Sequence, residues 1–120
     1  MRHLKKVKKI GLAKDHRKSL LKNLIASLVL AEHLCTTQAR AKALAARFGK
    51  LMWLIQNKEK REALRLLPNY CANAANGTAY FKLINELKSK YDKRTSGFTR
   101  ITRLAMRKGD NALLVRIELI

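Results

Sequence analysis

At 120 residues, 48% of them hydrophobic, the chain has the size of one domain and enough apolar material for a core, which excludes whole-chain disorder. Lys and Arg number 27 against 8 Asp and Glu, and the resulting net charge of +19 repels itself in a compact state unless a polyanion neutralises much of it. Nucleic acid fits that requirement best, because each neutralised phosphate releases condensed counterions, and an anionic membrane surface is the second candidate.

Residues 1–14 hold Arg2, Lys5, Lys6, Lys8, Lys9 and Lys14 with no acid and little apolar material. This basic arm is predicted to be extended on its own and to order among phosphates, leaving residues 15–120 as a single globular domain. Asp15 is placed to cap a first helix running to about Ala31, with Leu20, Leu21, Leu24, Ile25, Leu28 and Val29 forming one apolar stripe. The run from Leu24 to Ala31 is shorter than the roughly 20 residues that span a bilayer, so no membrane span and a cytoplasmic chain are expected. His16, Arg17, Lys18, Lys22 and Asn23 fall mostly off the stripe near the helix start. Cations there oppose the helix dipole, a conflict that docked phosphates would relieve.

His33 to Thr37 reads as a short strand, and Thr37 as the cap of a second helix, about Gln38 to Gln56, with Leu44, Phe48, Leu51, Met52 and Ile55 as its core stripe. Trp53 is assigned to packing at the edge of that stripe, with base stacking as the alternative; Arg40, Lys42, Arg47 and Lys50 supply the polar face. Asn57 is placed to cap a third, shorter helix ended by Pro68. A loop with a helical turn fills 68–77, and Thr78 caps a fourth helix to about Tyr91 with Tyr80, Phe81, Leu83, Ile84 and Leu87 on its apolar side. Leu113, Val115, Ile117 and Leu119 alternate as a half-buried strand, paired through a turn at Lys108–Asn111 with a strand over Phe98 to Met106. Ile101 and Leu104 cannot share one face of that strand without a bulge or a register change. The order α-β-α-α-α-β-β predicts an α+β, two-layer fold, with helices packed on a small three-stranded sheet.

Chemistry-bearing patterns are sparse. Glu59 and Glu62 share a helix face but sit among Lys58, Lys60 and Arg61, which reads as a solvated ion-pair cluster. The three histidines lack metal-ligand spacing, Cys35 and Cys71 lie far apart outside any CxxC, and no phosphate-binding glycine loop appears. The chain is therefore expected to be no enzyme, with no cofactor, metal or small-molecule substrate. Arg94, Arg100, Arg103, Arg107 and Lys108 add cations in the hairpin region, so positive charge is expected on several sides of the body. That spread suits burial in folded RNA and contact mainly with phosphate and sugar. A basic DNA-binding or nucleoid-type protein is the alternative, although no single recognition helix stands out.

Several short segments form a distinctive series: Met1-Arg2-His3, His16-Arg17-Lys18 with Asn23, Ser27-Leu28-Val29, Glu32, Thr36-Thr37, and Ala41-Lys42-x-Leu44. Lys82-Leu83-x-Asn85-Glu86-Leu87, Arg94, Gly97-Phe98-Thr99-Arg100-Ile101, Arg107-x-Gly109-Asp110-Asn111-Ala112 and Ile117-Glu118-Leu119 continue in order. Taken together, they make the chain resemble the bacterial large-subunit ribosomal protein L17 family along nearly its whole length. The resemblance implies a structural constituent of the large ribosomal subunit, held on its rRNA near the peptide exit beside neighbouring large-subunit ribosomal proteins. By matching positions it implies RNA contact at Arg2, His3, His16, Arg17, Asn23, Thr36, Thr37, Lys42, Arg94, Arg100 and Arg107. Charge alone adds Lys5, Lys6, Lys8, Lys9, Lys14, Lys18, Lys22, Arg103 and Lys108. The chain departs from the family pattern at Lys14-Asp15, at Ser96-Gly97, at Ala45-Ala46 and through much of 50–76.

Overall fold

The computed structural model describes residues 3–4 and 8–120. Helix α1 (Lys14–Ala31) leads into strand β1 (His33–Thr37), then α2 (Gln38–Asn57) and α3 (Lys60–Leu66). A 3-10 turn over Leu67–Asn69 follows, with Pro68 ending α3 as its missing N–H requires. Helix α4 is continuous from Thr78–Phe81 through a wide π-helical turn, Lys82–Leu87, to Lys88–Lys90. Strands β2 (Thr99–Met106) and β3 (Leu113–Leu119) close the chain. The sheet is antiparallel in the order β1-β3-β2, so the last strand sits between the first and the second. This is the α+β order read from the sequence.

One apolar cluster joins both layers. Leu44, Phe48, Leu51, Met52 and Ile55 of α2 are all fully buried, together with Ile25, Leu28 and Val29 of α1 and Val115 and Ile117 of β3. Phe98 meets Phe48 edge-on at 6.4 Å and Tyr91 at 5.3 Å between ring centroids. The Gln56 amide donates to the Tyr91 carbonyl at 2.7 Å and the Arg94 carbonyl at 3.0 Å, tying the end of α2 to the exit of α4. Gly97 has φ +68°, a left-handed turn that swings Phe98 inward at a position where an L side chain would be strained.

Helix starts differ from expectation. Lys14 opens α1 after Ala13, so Asp15 lies inside the first turn, where its charge complements the dipole without capping. Thr37 occupies the cap position of α2 but makes no side-chain cap bond. Glu59, not Asn57, precedes α3, because the Asn57 amide donates backward to the Trp53 carbonyl at 2.8 Å. Gly77, with φ +86°, takes the position assigned to Thr78, whose hydroxyl instead bonds the Ala75 carbonyl at 2.6 Å.

Two aromatics also move. Ala79, Leu83, Ile84 and Leu87 define the buried side of α4 and leave Phe81 on the far side, 63% exposed. Trp53 projects from α2 and is 57% exposed, so the packing role expected for it does not hold. The irregularity expected in β2 is present as a bulge: register passes from Arg103 opposite Val115 to Ala105 opposite Leu114, with Leu104 the extra residue.

Candidate nucleic-acid interface

Helices cover one sheet face. On the other, register places His33, Glu118 and Arg100 in one row across the three strands, and Cys35, Arg116 and Thr102 in the next. Glu118 lies 3.9 Å from Arg100 and 3.6 Å from Arg116, a shared ion pair on a solvent-facing surface. At the hairpin tip the Arg107 guanidinium donates to both Asp110 oxygens, at 2.9 and 2.6 Å, and Asp110 also accepts the Ala112 N–H at 3.2 Å. Those bonds hold the Asp110 carboxyl down at about 2, the Arg107 contact being the strongest cause. This arrangement neutralises Arg107 internally and shapes the turn.

A different surface concentrates cations without acids. Lys8, Lys14, Arg17, Lys18, Arg47 and Lys50 line a cleft of about 670 Å³ between the start of α1, the middle of α2 and the turn after α3. Its remaining lining is apolar or neutral, including Leu21, Ala43, Leu54, Asn69 and Tyr70. Arg17 donates to the Leu12 carbonyl at 3.4 Å, which joins the residues before α1 to the helix. Arg47 lies 5.3 Å from the centre of the Tyr70 ring and donates to the Asn69 carbonyl at 2.6 Å, while its Nε has no hydrogen-bond partner among the described residues. Clustering this many like charges beside apolar walls raises the local positive potential and favours a polyanion over water and small counterions.

The cleft gathers only part of the set expected from sequence. Lys8, Lys14, Arg17 and Lys18 belong to it. His3, Lys9, His16 and Asn23 are exposed nearby in the chain but do not line it, and Lys22 is half-buried with its carbonyl accepting the Ala72 N–H at 3.2 Å. Thr36 and Thr37 are half-buried on β1, and Lys42 is exposed on α2 away from the cleft lining. Arg94 donates to the Gly97 carbonyl at 2.9 Å. Arg100, Arg103, Arg107 and Lys108 belong to the β2–β3 hairpin, a separate surface. Arg2, Lys5 and Lys6 lie outside the described residues. Arg47, Lys50 and Tyr70 were not assigned to the site from sequence. The Arg47, Lys50, Trp53 spacing of three is the signal that could have found the α2 part of it, since such residues share a helix face.

Among the described residues no three or more His, Cys, Asp or Glu side chains are grouped to hold a metal ion, and no helix is long and apolar enough to cross a membrane. Fold and charge together define a small, strongly basic α+β protein with exposed cationic surfaces. The sequence pattern of the family described as "Ribosomal protein L17" matches residues 20–120. The chain is 38% identical over 120 residues to the "Large ribosomal subunit protein bL17" of Fusobacterium nucleatum, covering 100% of both chains. The protein of the same name from Carboxydothermus hydrogenoformans is 38% identical over 115 residues, covering 93% of this chain and 96% of its own. That of Staphylococcus epidermidis is 35% identical over 119 residues, covering 94% and 98%. The chain belongs to the ribosomal protein L17 family, a family of structural ribosomal proteins and not of enzymes.

Proposed function

We propose that this chain is a structural constituent of the large ribosomal subunit, binding large-subunit rRNA near the peptide exit and packing beside other large-subunit proteins. The supporting observation is the six-cation cleft, whose lining contains no acid. A protein that neutralises phosphate in this way needs no turnover; it holds RNA helices in place by lowering their mutual repulsion. Residues 1–14 act as a basic arm that extends the interface, and residues 15–120 as the body that positions it. In this reading the arm cations Arg2, Lys5, Lys6, Lys8, Lys9 and Lys14 meet phosphate together with Arg17, Lys18, Arg47 and Lys50. His3, His16, Lys22, Asn23, Thr36, Thr37, Lys42, Arg94, Arg100, Arg103 and Lys108 make the contacts outside the cleft. Arg107 serves the turn first, because Asp110 already balances its charge. In a bacterial cell this places the chain in cytoplasmic ribosomes.

A sucrose gradient of lysate from cells expressing the tagged chain tests the proposal. The chain should co-migrate with the large subunit and stay there through a moderate-salt wash. Recovery with the nucleoid, or free at the top of the gradient, would refute it.

A further inference from the structure

The cationic cleft does not end at its charges. It shares Lys50, Leu54 and Tyr70 with an adjoining slot of about 390 Å³, completed by Gly49 and Trp53. That volume lies near the small end of ligand sites, about 300–1,000 Å³. Side chains on a helix lean toward its N-terminus, so the surface beside Trp53 belongs to the residue four positions earlier. That residue is Gly49, and a Cβ built on it meets nothing within 4 Å. The indole therefore overlooks open space where any other residue would place atoms. Arg47 already sits over the Tyr70 ring at 5.3 Å, which leaves Trp53 as the open aromatic platform.

We propose that this slot receives one unpaired nucleotide of the bound RNA, its base stacked on Trp53 and its phosphate beside Lys50. A cationic track opening onto an exposed aromatic is the combination that binds unpaired nucleic acid: the charges follow the backbone and the ring accepts any base. The absence of acids from both linings excludes a basic peptide as the occupant on electrostatic grounds. The inference rests on the RNA-binding reading above and adds to it a base-contacting position.

Trp53 is the only tryptophan in the chain, so its emission reports on the slot directly. The full-length protein is titrated with a mixed-sequence single-stranded ribo-oligonucleotide and, separately, with heparin, a polyanion that has no bases. Saturable quenching by the oligonucleotide and little by heparin is expected. Trp53→Ala, at an exposed position, should weaken oligonucleotide binding about tenfold, with Trp53→Phe retaining most of the affinity. Gly49→Leu fills the slot while keeping the indole, and should abolish most of the quenching without changing heparin binding. Oligonucleotide binding with unchanged emission, equal quenching by heparin, or full affinity in Trp53→Ala would overturn the proposal while leaving the RNA-binding reading intact. Failure to bind any RNA would overturn both.

Discussion

Removing Lys18 and Lys50 together should change how rRNA binding responds to salt more than it changes the fold. Both side chains line the cleft, both residues are exposed, and neither has an acid within 4.0 Å among the described residues. Each neutralised phosphate adds about 0.7 to 0.9 to the slope of log affinity against log salt. The six cleft cations therefore contribute roughly −4 to −5 to the slope, and their share alone lowers affinity about a thousandfold between about 50 and 200 mM salt. Lys18→Ala with Lys50→Ala should flatten the total slope by about 1.4 to 1.8, so the same salt step costs about tenfold less affinity than in the unmodified protein. Arg107→Ala provides the contrast: its guanidinium is already paired to Asp110 at 2.6 Å, so its loss should flatten the slope much less than a cleft lysine does. Filter binding or anisotropy with a large-subunit rRNA transcript, repeated across salt, measures all three proteins. An unchanged slope in the double variant, or an equal flattening per charge from Arg107→Ala, would refute the assignment of phosphate contact to the cleft.

Phe48→Ala empties the centre of the core and removes one side of the edge-on contact with Phe98, so it should destabilise the protein by about 3–5 kcal/mol in chemical unfolding. Cys35 is exposed on the open sheet face and should react at once with a thiol reagent, whereas burial pushes the Cys71 thiol up to about 11 and should keep it unreactive until the protein unfolds. The hydrogen bond from Lys82 at 2.9 Å lowers the Glu32 carboxyl, so this pair stabilises the fold above the unfolded-state pKa of Glu32. Its contribution should disappear as pH falls through the depressed folded-state value, and Glu32→Gln should lose that acid-side dependence. Without RNA, rising salt should raise the melting temperature by screening self-repulsion; with rRNA bound, rising salt should lower it by releasing the ligand. The same sign in both melts would contradict the coupling between charge and binding.

Much of the fold was legible because it depends on periodicity. The α2 stripe from Leu44 to Ile55 is buried as read, and the clash between Ile101 and Leu104 calls for a bulge or a register change, which β2 meets with an extra residue at Leu104. Caps were harder to read because they are decided by competing local hydrogen bonds. Asn57 can cap forward or bond back to Trp53, and spacing alone does not choose between them. Trp53 was misplaced for a related reason. Hydrophobicity argues for burial, but its angular position on α2 falls outside the stripe that the core accepts. The cleft was only half visible, since Arg47 and Lys50 approach Lys14 and Lys18 through packing between helices far apart in sequence.

The placement of the few acids separates structural cations from available ones. Glu32 fixes Lys82 across the turn from α1 to β1, where Glu32 itself adopts φ 64° and its N–H bonds the Leu28 carbonyl at 2.7 Å. Asp110 fixes Arg107 at the hairpin tip, Glu118 holds Arg100 and Arg116 on the open sheet face, and Glu62 meets Lys58 on the flank of α3. Each of these acids spends part of a neighbouring positive charge on local geometry. The cleft has no such acid in its lining, so its cations remain electrostatically uncompensated by the protein and repel one another. A basic surface of this kind gains the most when phosphate arrives, because binding removes a repulsion that folding left in place. Counting Lys and Arg in the sequence points to a polyanion partner; locating the acids singles out the face proposed to meet it.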